Sequence, residues 1–409
     1  MTIRWITPHL GTGPALQVHQ EAGMKIIDVR DLVDKAGNRS DSVRQKLIEG
    51  CDSLRAGNKT LVCCDYGISR SNAVAVGILA MYESIPFEAA VRRVLEATGE
   101  REIKVAPLQA VRWALGVEKK HSHHQKRRVL VTGASGTLGK PVSQKLAEAF
   151  EVFTPSRSEL NLELGSTQLD LLVGDAEIDC IVHLANPRIF TSNTALGDTL
   201  TMLRNILDVC VVRSIKLIYL SSFEVYSGYR TSYLLADEAL PLLPKGSYGE
   251  TKYLAEMLIK HCRQTQGLQC IMLRSSPVYG VGSDRPRFIY NFIDKIKHSQ
   301  RILTHRYNNG LPALDLLYID DLVSAVTRAV NYDFCGDFNI GTSVITSTEK
   351  IAEILRELIG GKIAIDSVAI DDDTACIAMN SRLATEKIGW QATIGINKGL
   401  QKIVRVYPT

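Results

Sequence analysis

Arg127-Arg128-Val129-Leu130-Val131-Thr132-Gly133-Ala134-Ser135-Gly136-Thr137-Leu138-Gly139 passes from an apolar strand pattern into glycines at every third position. The residues after it, 140–150, carry the spacing of a helix. Strand, glycine turn and helix in that order are what a pyrophosphate-binding site requires. One glycine permits the tight turn, one lets the backbone approach the phosphates, and one lets the helix pack close, with its N-terminal N–H groups facing the anion. Gly133, Ser135, Gly136, Thr137, Leu138 and Gly139 are therefore the expected cofactor contacts.

Downstream, a second strand, Glu151-Val152-Phe153-Thr154, runs into Pro155-Ser156-Arg157. An acidic residue there would bind the adenosine ribose diol and favour NAD(H). Ser156 and Arg157 instead suit a 2′-phosphate, so NADP(H) is expected, with NAD(H) as the alternative. A later strand reads Ile218-Tyr219-Leu220-Ser221-Ser222-Phe223-Glu224-Val225-Tyr226, and Tyr248-Gly249-Glu250-Thr251-Lys252 opens a helix. Tyr248 and Lys252 are a helical turn apart and face the same way. The expected chemistry has the Lys ammonium lowering the phenol pKa toward neutrality and binding the nicotinamide ribose, while a serine hydroxyl orients the substrate oxygen.

Upstream lies a signature of a different class, Cys64-Asp65-Tyr66-Gly67-Ile68-Ser69-Arg70-Ser71. Thr60-Leu61-Val62-Cys63 reads as a buried strand and residues 71–80 as a helix, so the motif falls on a strand-to-helix turn. A thiolate that attacks phosphorus must be ionised near neutral pH, although a free cysteine titrates near ~8.5. Backbone N–H groups of the loop at a helix N-terminus stabilise that thiolate and cradle the phosphate, so the backbone of Asp65, Tyr66, Gly67, Ile68, Ser69 and Arg70 is the expected phosphate site. Arg70 supplies a planar fork for two phosphoryl oxygens, and Ser71 a hydroxyl that helps the cysteine leave. The leaving oxygen needs a proton from another loop. Lys25-Ile26-Ile27-Asp28-Val29-Arg30-Asp31 runs into such a loop, making Asp31 the first candidate acid, with Asp34 and Asp28 behind it.

A chain of 409 residues suits two or three domains. A formal charge of +4 gives no reason to expect nucleic acid or an anionic membrane as partner, and no apolar run has the length of a membrane span. The N-terminus lacks a secretory signal pattern, which makes the cytoplasm the expected location. The nine cysteines form no paired Cys-x-x-Cys motif, and His121, His123 and His124 sit in a polar basic stretch without neighbouring ligands, so neither disulfides nor a metal is expected. That stretch reads as a linker over 117–126, dividing the chain into 1–116 and 127–409.

Residues 1–116 resemble the dual-specificity branch of the protein tyrosine phosphatases. Trp5-Ile6-Thr7-Pro8-His9-Leu10-Gly11 is similar to that family's opening strand, Asp31 stands where its acid lies, and Glu88 to Leu95 is similar to a following helix. The family usually has His before the nucleophile, and here it is Cys63. The loop also lacks the lysines of family members that act on highly phosphorylated inositides.

Residues 128–407 resemble an extended short-chain dehydrogenase/reductase, the class of sugar-nucleotide epimerases, dehydratases and reductases. The resemblance rests on the motifs above together with His183-Leu184-Ala185-Asn186, Leu273-Arg274-Ser275-Ser276-Pro277-Val278-Tyr279-Gly280, Leu317-Tyr318-Ile319-Asp320-Asp321-Leu322 and Phe338-Asn339-Ile340-Gly341. It implies Ser222, Tyr248 and Lys252 as the catalytic set and Leu184 and Ala185 as further cofactor contacts. Thr199 stands where the family often has Asn, and Leu314 where it commonly has the Arg that holds the nucleotide diphosphate. Arg285, Arg287 and Arg306 are left for an anionic substrate.

The expected fold is α/β: a cysteine-phosphatase domain, then a Rossmann-type doubly wound parallel sheet with a small C-terminal substrate lobe. The expected function is bifunctional, a phosphatase joined to an NAD(P)-dependent epimerase, reductase or dehydratase. Its expected partners are a phosphorylated sugar or nucleotide sugar and a second copy of the chain through the dehydrogenase-like region. The alternatives are a phosphatase-like module that only binds or regulates, and a protein phosphatase governed by an NADP(H)-sensing region.

Overall fold

The computed structural model describes residues 3–17, 23–117, 126–187 and 192–407. The expected linker lies mostly outside the described residues. The chain forms two compact units, one of 1–125, 157–178 and 201–215, the other of 126–156, 179–200 and 216–409.

The first unit is built on a sheet of β1 (Arg4–Trp5), β2 (Leu10–Pro14), β3 (Met24–Asp28) and β4 (Lys59–Cys64), in the order β1-β2-β4-β3. The stretch from Trp5 to Gly11, read as one strand, is two: β1 and β2 pair antiparallel across a turn. β2 and β3 each pair parallel with β4. Four helices follow from its sequence, α1 (Ser40–Arg55), α2 (Arg70–Glu83), α3 (Phe87–Thr98) and α4 (Val105–Leu115). α2 is buried along the whole of Ser71–Ala80, as a helix that is apolar all round must be. It therefore runs through the unit's core, where Val74, Ile78, Leu47, Val91 and Val111 meet.

The second unit holds a six-stranded sheet: β5 (Arg128–Thr132), β6 (Glu151–Phe153), β7 (Cys180–His183), β8 (Lys216–Ser222), β9 (Cys270–Ser275) and β10 (Gly336–Ile340), in the order β10-β9-β8-β7-β5-β6. Every neighbouring pair is parallel. Continuous apolar runs such as Val129-Leu130-Val131 are what strands buried on both faces require. α5 (Gly139–Ala147) follows the glycine turn and α8 (Gly246–Gln266) follows β8; α6 (Thr167–Asp175) and most of α7 (Asn193–Arg213) belong to the first unit. β8 stops at Ser222, and Phe223–Tyr226, read as strand, is a 3-10 turn capped by the Ser222 hydroxyl, which accepts from the Glu224 N–H. A separate apolar cluster, with Ile289, Ile293, Ile302, Leu355 and Leu400, forms the C-terminal lobe.

The core of the first unit also includes α6, whose Leu171 joins its apolar cluster. Within this unit the Asp170 carboxylate, fully buried, receives Arg112 at 2.7 Å and Arg213 at 2.7 Å.

Candidate active sites

In the first unit β4 ends at Cys64 and α2 begins at Arg70, so the intervening loop wraps the sulfur at the helix N-terminus. The Gly67 N–H points at Cys64 Sγ at 3.2 Å, and Ser71 Oγ lies 3.4 Å from it. Gly67 has φ +70°, and a Cβ there would stand 2.4 Å from the Gly13 carbonyl carbon, so both the turn and the approach of β2 demand glycine. Burial pushes the Cys64 thiol up. The Ser71 hydroxyl and the backbone N–H groups of Ser71, Gly67 and Ile68 outweigh it and leave the pKa below the ordinary thiol value.

Arg70 is drawn toward the β3 loop, donating to the Leu32 carbonyl at 2.9 Å and the Arg30 carbonyl at 3.3 Å. Its guanidinium also binds the Asp65 carboxylate and lies 3.7 Å from Asp34. Asp65 and Tyr66 are exposed, and the Asp65 carboxylate lies on the Arg70 guanidinium. Of the three candidate acids, Asp28 is clasped by Arg30, which holds its carboxyl below the usual range and makes it a poor proton donor. Asp31 is exposed and pairs with Lys46 at 3.0 Å, while Asp34 lies between Arg70 and Lys104.

In the second unit the glycine turn follows β5. Gly133 has φ +71°, and a Cβ there would meet Ala185 Cα at 2.7 Å. A Cβ on Gly139 would lie 2.0 Å from the Gly133 carbonyl oxygen. Ser135, Gly136 and Thr137 are exposed, so the turn presents open backbone at the N-terminus of α5. This cradle fits a dinucleotide pyrophosphate, with Gly133, Gly136 and Gly139 providing the close approach. The end of β7 lies alongside: Leu184 N–H donates to Thr132 O at 3.2 Å and Ala185 N–H to Thr132 Oγ1 at 3.4 Å. Arg157, in the first unit, is exposed and carries Glu163 at 2.7 Å.

At the C-terminal end of the sheet the Tyr248 hydroxyl is hydrogen-bonded to Ser222 and Asn186. Lys252 Nζ donates to the Leu220 carbonyl at 2.9 Å and lies 5.8 Å from the Tyr248 ring centroid. The structure thus brings Ser222, Tyr248 and Lys252 together at the ends of β8 and α8. The expected depression of the phenol pKa is corrected. Burial, with the Glu224 carboxylate nearby, pushes Tyr248 up to about 12, and burial pushes Lys252 itself down to about 8.

Asn186, quoted in the His183–Asn186 motif without a role, joins Tyr248 from the loop just after β7. Thr199 spends its hydroxyl on the Ala195 carbonyl of its own helix at 2.7 Å, and Leu314 lies in a short strand pairing with Thr346. Among the described residues no group of three or more His, Cys, Asp or Glu side chains is placed to hold a metal, and no helix is long and apolar enough to cross a membrane.

Residues 129–341, just over half of the chain, match the model of the NAD dependent epimerase/dehydratase family. The chain is 26% identical over 304 residues to UDP-glucuronic acid decarboxylase 5 of Arabidopsis thaliana, covering 67% of this chain and 87% of that protein. It is 24% identical over 308 residues to GDP-mannose 3,5-epimerase 1 of Oryza sativa subsp. indica, covering 68% and 80%. A crystal structure of dTDP-glucose 4,6-dehydratase from Bacillus anthracis in complex with NAD superimposes with a TM-score of 0.60 at 20% identity, over 69% of this chain and 96% of that one. With the glycine cradle, the parallel sheet and the Ser222–Tyr248–Lys252 cluster in place over the matched region, the chain belongs to the NAD dependent epimerase/dehydratase family.

Proposed function

We propose that the second unit oxidises a carbinol carbon of a nucleotide sugar and then epimerises, dehydrates or decarboxylates it. The observation that carries this reading is the Tyr248 hydroxyl on Ser222 and Asn186, with the Glu224 carboxyl beside it. Tyr248 moves the proton at the substrate oxygen, Ser222 and Asn186 orient that oxygen, and Lys252 anchors the site through the Leu220 carbonyl. A nicotinamide dinucleotide held at Gly133, Gly136 and Gly139 would supply the two-electron acceptor. Its form is proposed from Ser156 and Arg157 to be NADP(H), and the affinities of NAD and NADP for the wild type and Arg157→Ala test that choice. Glu224 is half-buried, and its partial desolvation pushes its carboxyl up and suits it to a second proton transfer, as elimination needs. The relatives named as an epimerase, a dehydratase and a decarboxylase fit the same chemistry. The experiment is product analysis by NMR after incubation with NAD or NADP and a panel of UDP-, dTDP- and GDP-sugars. No conversion of any sugar, with nicotinamide bound, would sink the proposal.

We further propose that the Cys64 loop is a cysteine-dependent phosphatase, with Arg70 binding the phosphoryl oxygens, Ser71 assisting thiolate release and Asp31 as general acid. What supports it is the Gly67 N–H and the Ser71 hydroxyl converging on a Cys64 sulfur with a depressed pKa. Two chemistries on one chain gain most from a raised effective concentration when their substrates are related, which favours a small phosphorylated metabolite over a phosphoprotein. Release of phosphate from sugar phosphates and from phosphopeptides tests this; turnover of phosphopeptides far above every metabolite would favour the regulatory alternative.

A further inference from the structure

We propose that Asp65 sets the substrate class of the Cys64 site, restricting it to molecules that carry a single phosphomonoester and no second anionic group. The inference rests on the phosphatase reading of that site and deepens it. Arg70 is the cation that would grip the phosphate, and the Asp65 carboxylate of the same loop binds its guanidinium. An entering phosphate must displace that carboxylate, and it replaces one charge-assisted pair by another.

The surrounding charge explains why a second anionic group has nowhere to go. Lys46 is taken by Asp31 at 3.0 Å, Arg30 by Asp28 at 2.6 Å, and Arg4, which donates to the Gly67 carbonyl, by Glu100; Lys104 faces Asp34 at 3.8 Å, which also lies 3.7 Å from Arg70. These cations beside the loop already carry a carboxylate, so they add no net positive field. A second phosphate group would meet Asp31, Asp34 and the displaced Asp65 as like charges, a repulsive element that discriminates against bisphosphates and diphosphates.

The test measures binding by calorimetry to the full chain carrying Cys64→Ser, with the glycine cradle of the second unit saturated by NAD or NADP, using inorganic phosphate, phenyl phosphate and pyrophosphate. In this background pyrophosphate should bind no more tightly than phosphate. Adding Asp65→Asn should tighten phosphate by about fivefold, the worth of an exposed ion pair of about 1 kcal/mol, and pyrophosphate by more. Asp65→Glu, which keeps the charge, should retain the parent's ratio. Pyrophosphate binding tighter than phosphate in the parent, or affinities unmoved by Asp65→Asn, would overturn the proposal. Phosphate binding without turnover in the native chain would refute the phosphatase reading and leave the selectivity to stand on the binding ratios; no phosphate binding would sink both.

Discussion

Cys63 and Cys64 are consecutive in β4, both buried, and their thiols are driven in opposite directions. Burial and then the Asp28 carboxylate push Cys63 up to about 11, against the opposing pull of Arg30 and Lys46. Cys64 has the loop N–H groups and Ser71 and falls below the ordinary thiol value. The two adjacent thiols thus differ because only Cys64 faces the N–H groups of the loop.

Alkylation should follow that division. At pH 7, limited iodoacetamide treatment followed by peptide mass spectrometry should label Cys64 well ahead of Cys63, because only the thiolate reacts. Cys64→Ser should abolish phosphate release while keeping phosphate binding, and Cys63→Ser should keep most of the activity. Preferential labelling of Cys63 would contradict the electrostatics.

Tyr248→Phe should reduce hydride transfer by at least ~100-fold, in the range of lost acid–base catalysis, and leave Cys64-dependent hydrolysis unchanged. The measurement is a paired assay of nicotinamide absorbance and phosphate release on one preparation. A matching fall in both activities would mean that the substitution acts through folding.

Glu224→Gln separates the outcomes open to the second unit. Elimination or decarboxylation should fall by ~100-fold or more, whereas simple epimerisation should lose less than ~10-fold, since only the former needs a second proton transfer. Product ratios by NMR decide it.

Lys252 gives a pH signature in stability. Its pKa is about 8 in the folded chain against an ordinary 10.5, so the unfolded chain binds the extra proton between these values. The burial penalty is therefore full below pH 8 and relieved as pH rises toward 10.5. Lys252→Met should be the more stable protein at pH 7, with the gap closing above pH 8 in parallel urea titrations.

Asp170→Asn should cost about 3–5 kcal/mol, because two arginines would be left facing a neutral amide in a buried site. Burial opposes the Asp170 charge, and Arg112 and Arg213 outweigh it, so its pKa is lowered. Its contribution is then present above the unfolded carboxylate value and lost as pH falls through the depressed folded one. Thermal unfolding of the variant and the wild type at neutral and acid pH checks both statements.

The local features were fixed by the order of residues. A short apolar run, a glycine turn and a helix-forming stretch leave the backbone few alternatives, so the β5-turn-α5 cradle and the β4-loop-α2 cradle could both be placed before any contact was known. Tyr248 and Lys252 share a face by helical geometry alone. The tertiary structure decided what each of these groups feels. Asn186 reaches Tyr248 from the loop just after β7, Asp34 reaches Arg70 from another loop, and Asp170 reaches Arg112 and Arg213 from another helix. None of these pairs has a local signal. The sign of a pKa shift likewise depends on burial, which is why Tyr248 moved up where a lysine one turn away had suggested down. Short-range backbone geometry is encoded residue by residue, whereas desolvation and long-range charge pairing arise only when distant segments pack together.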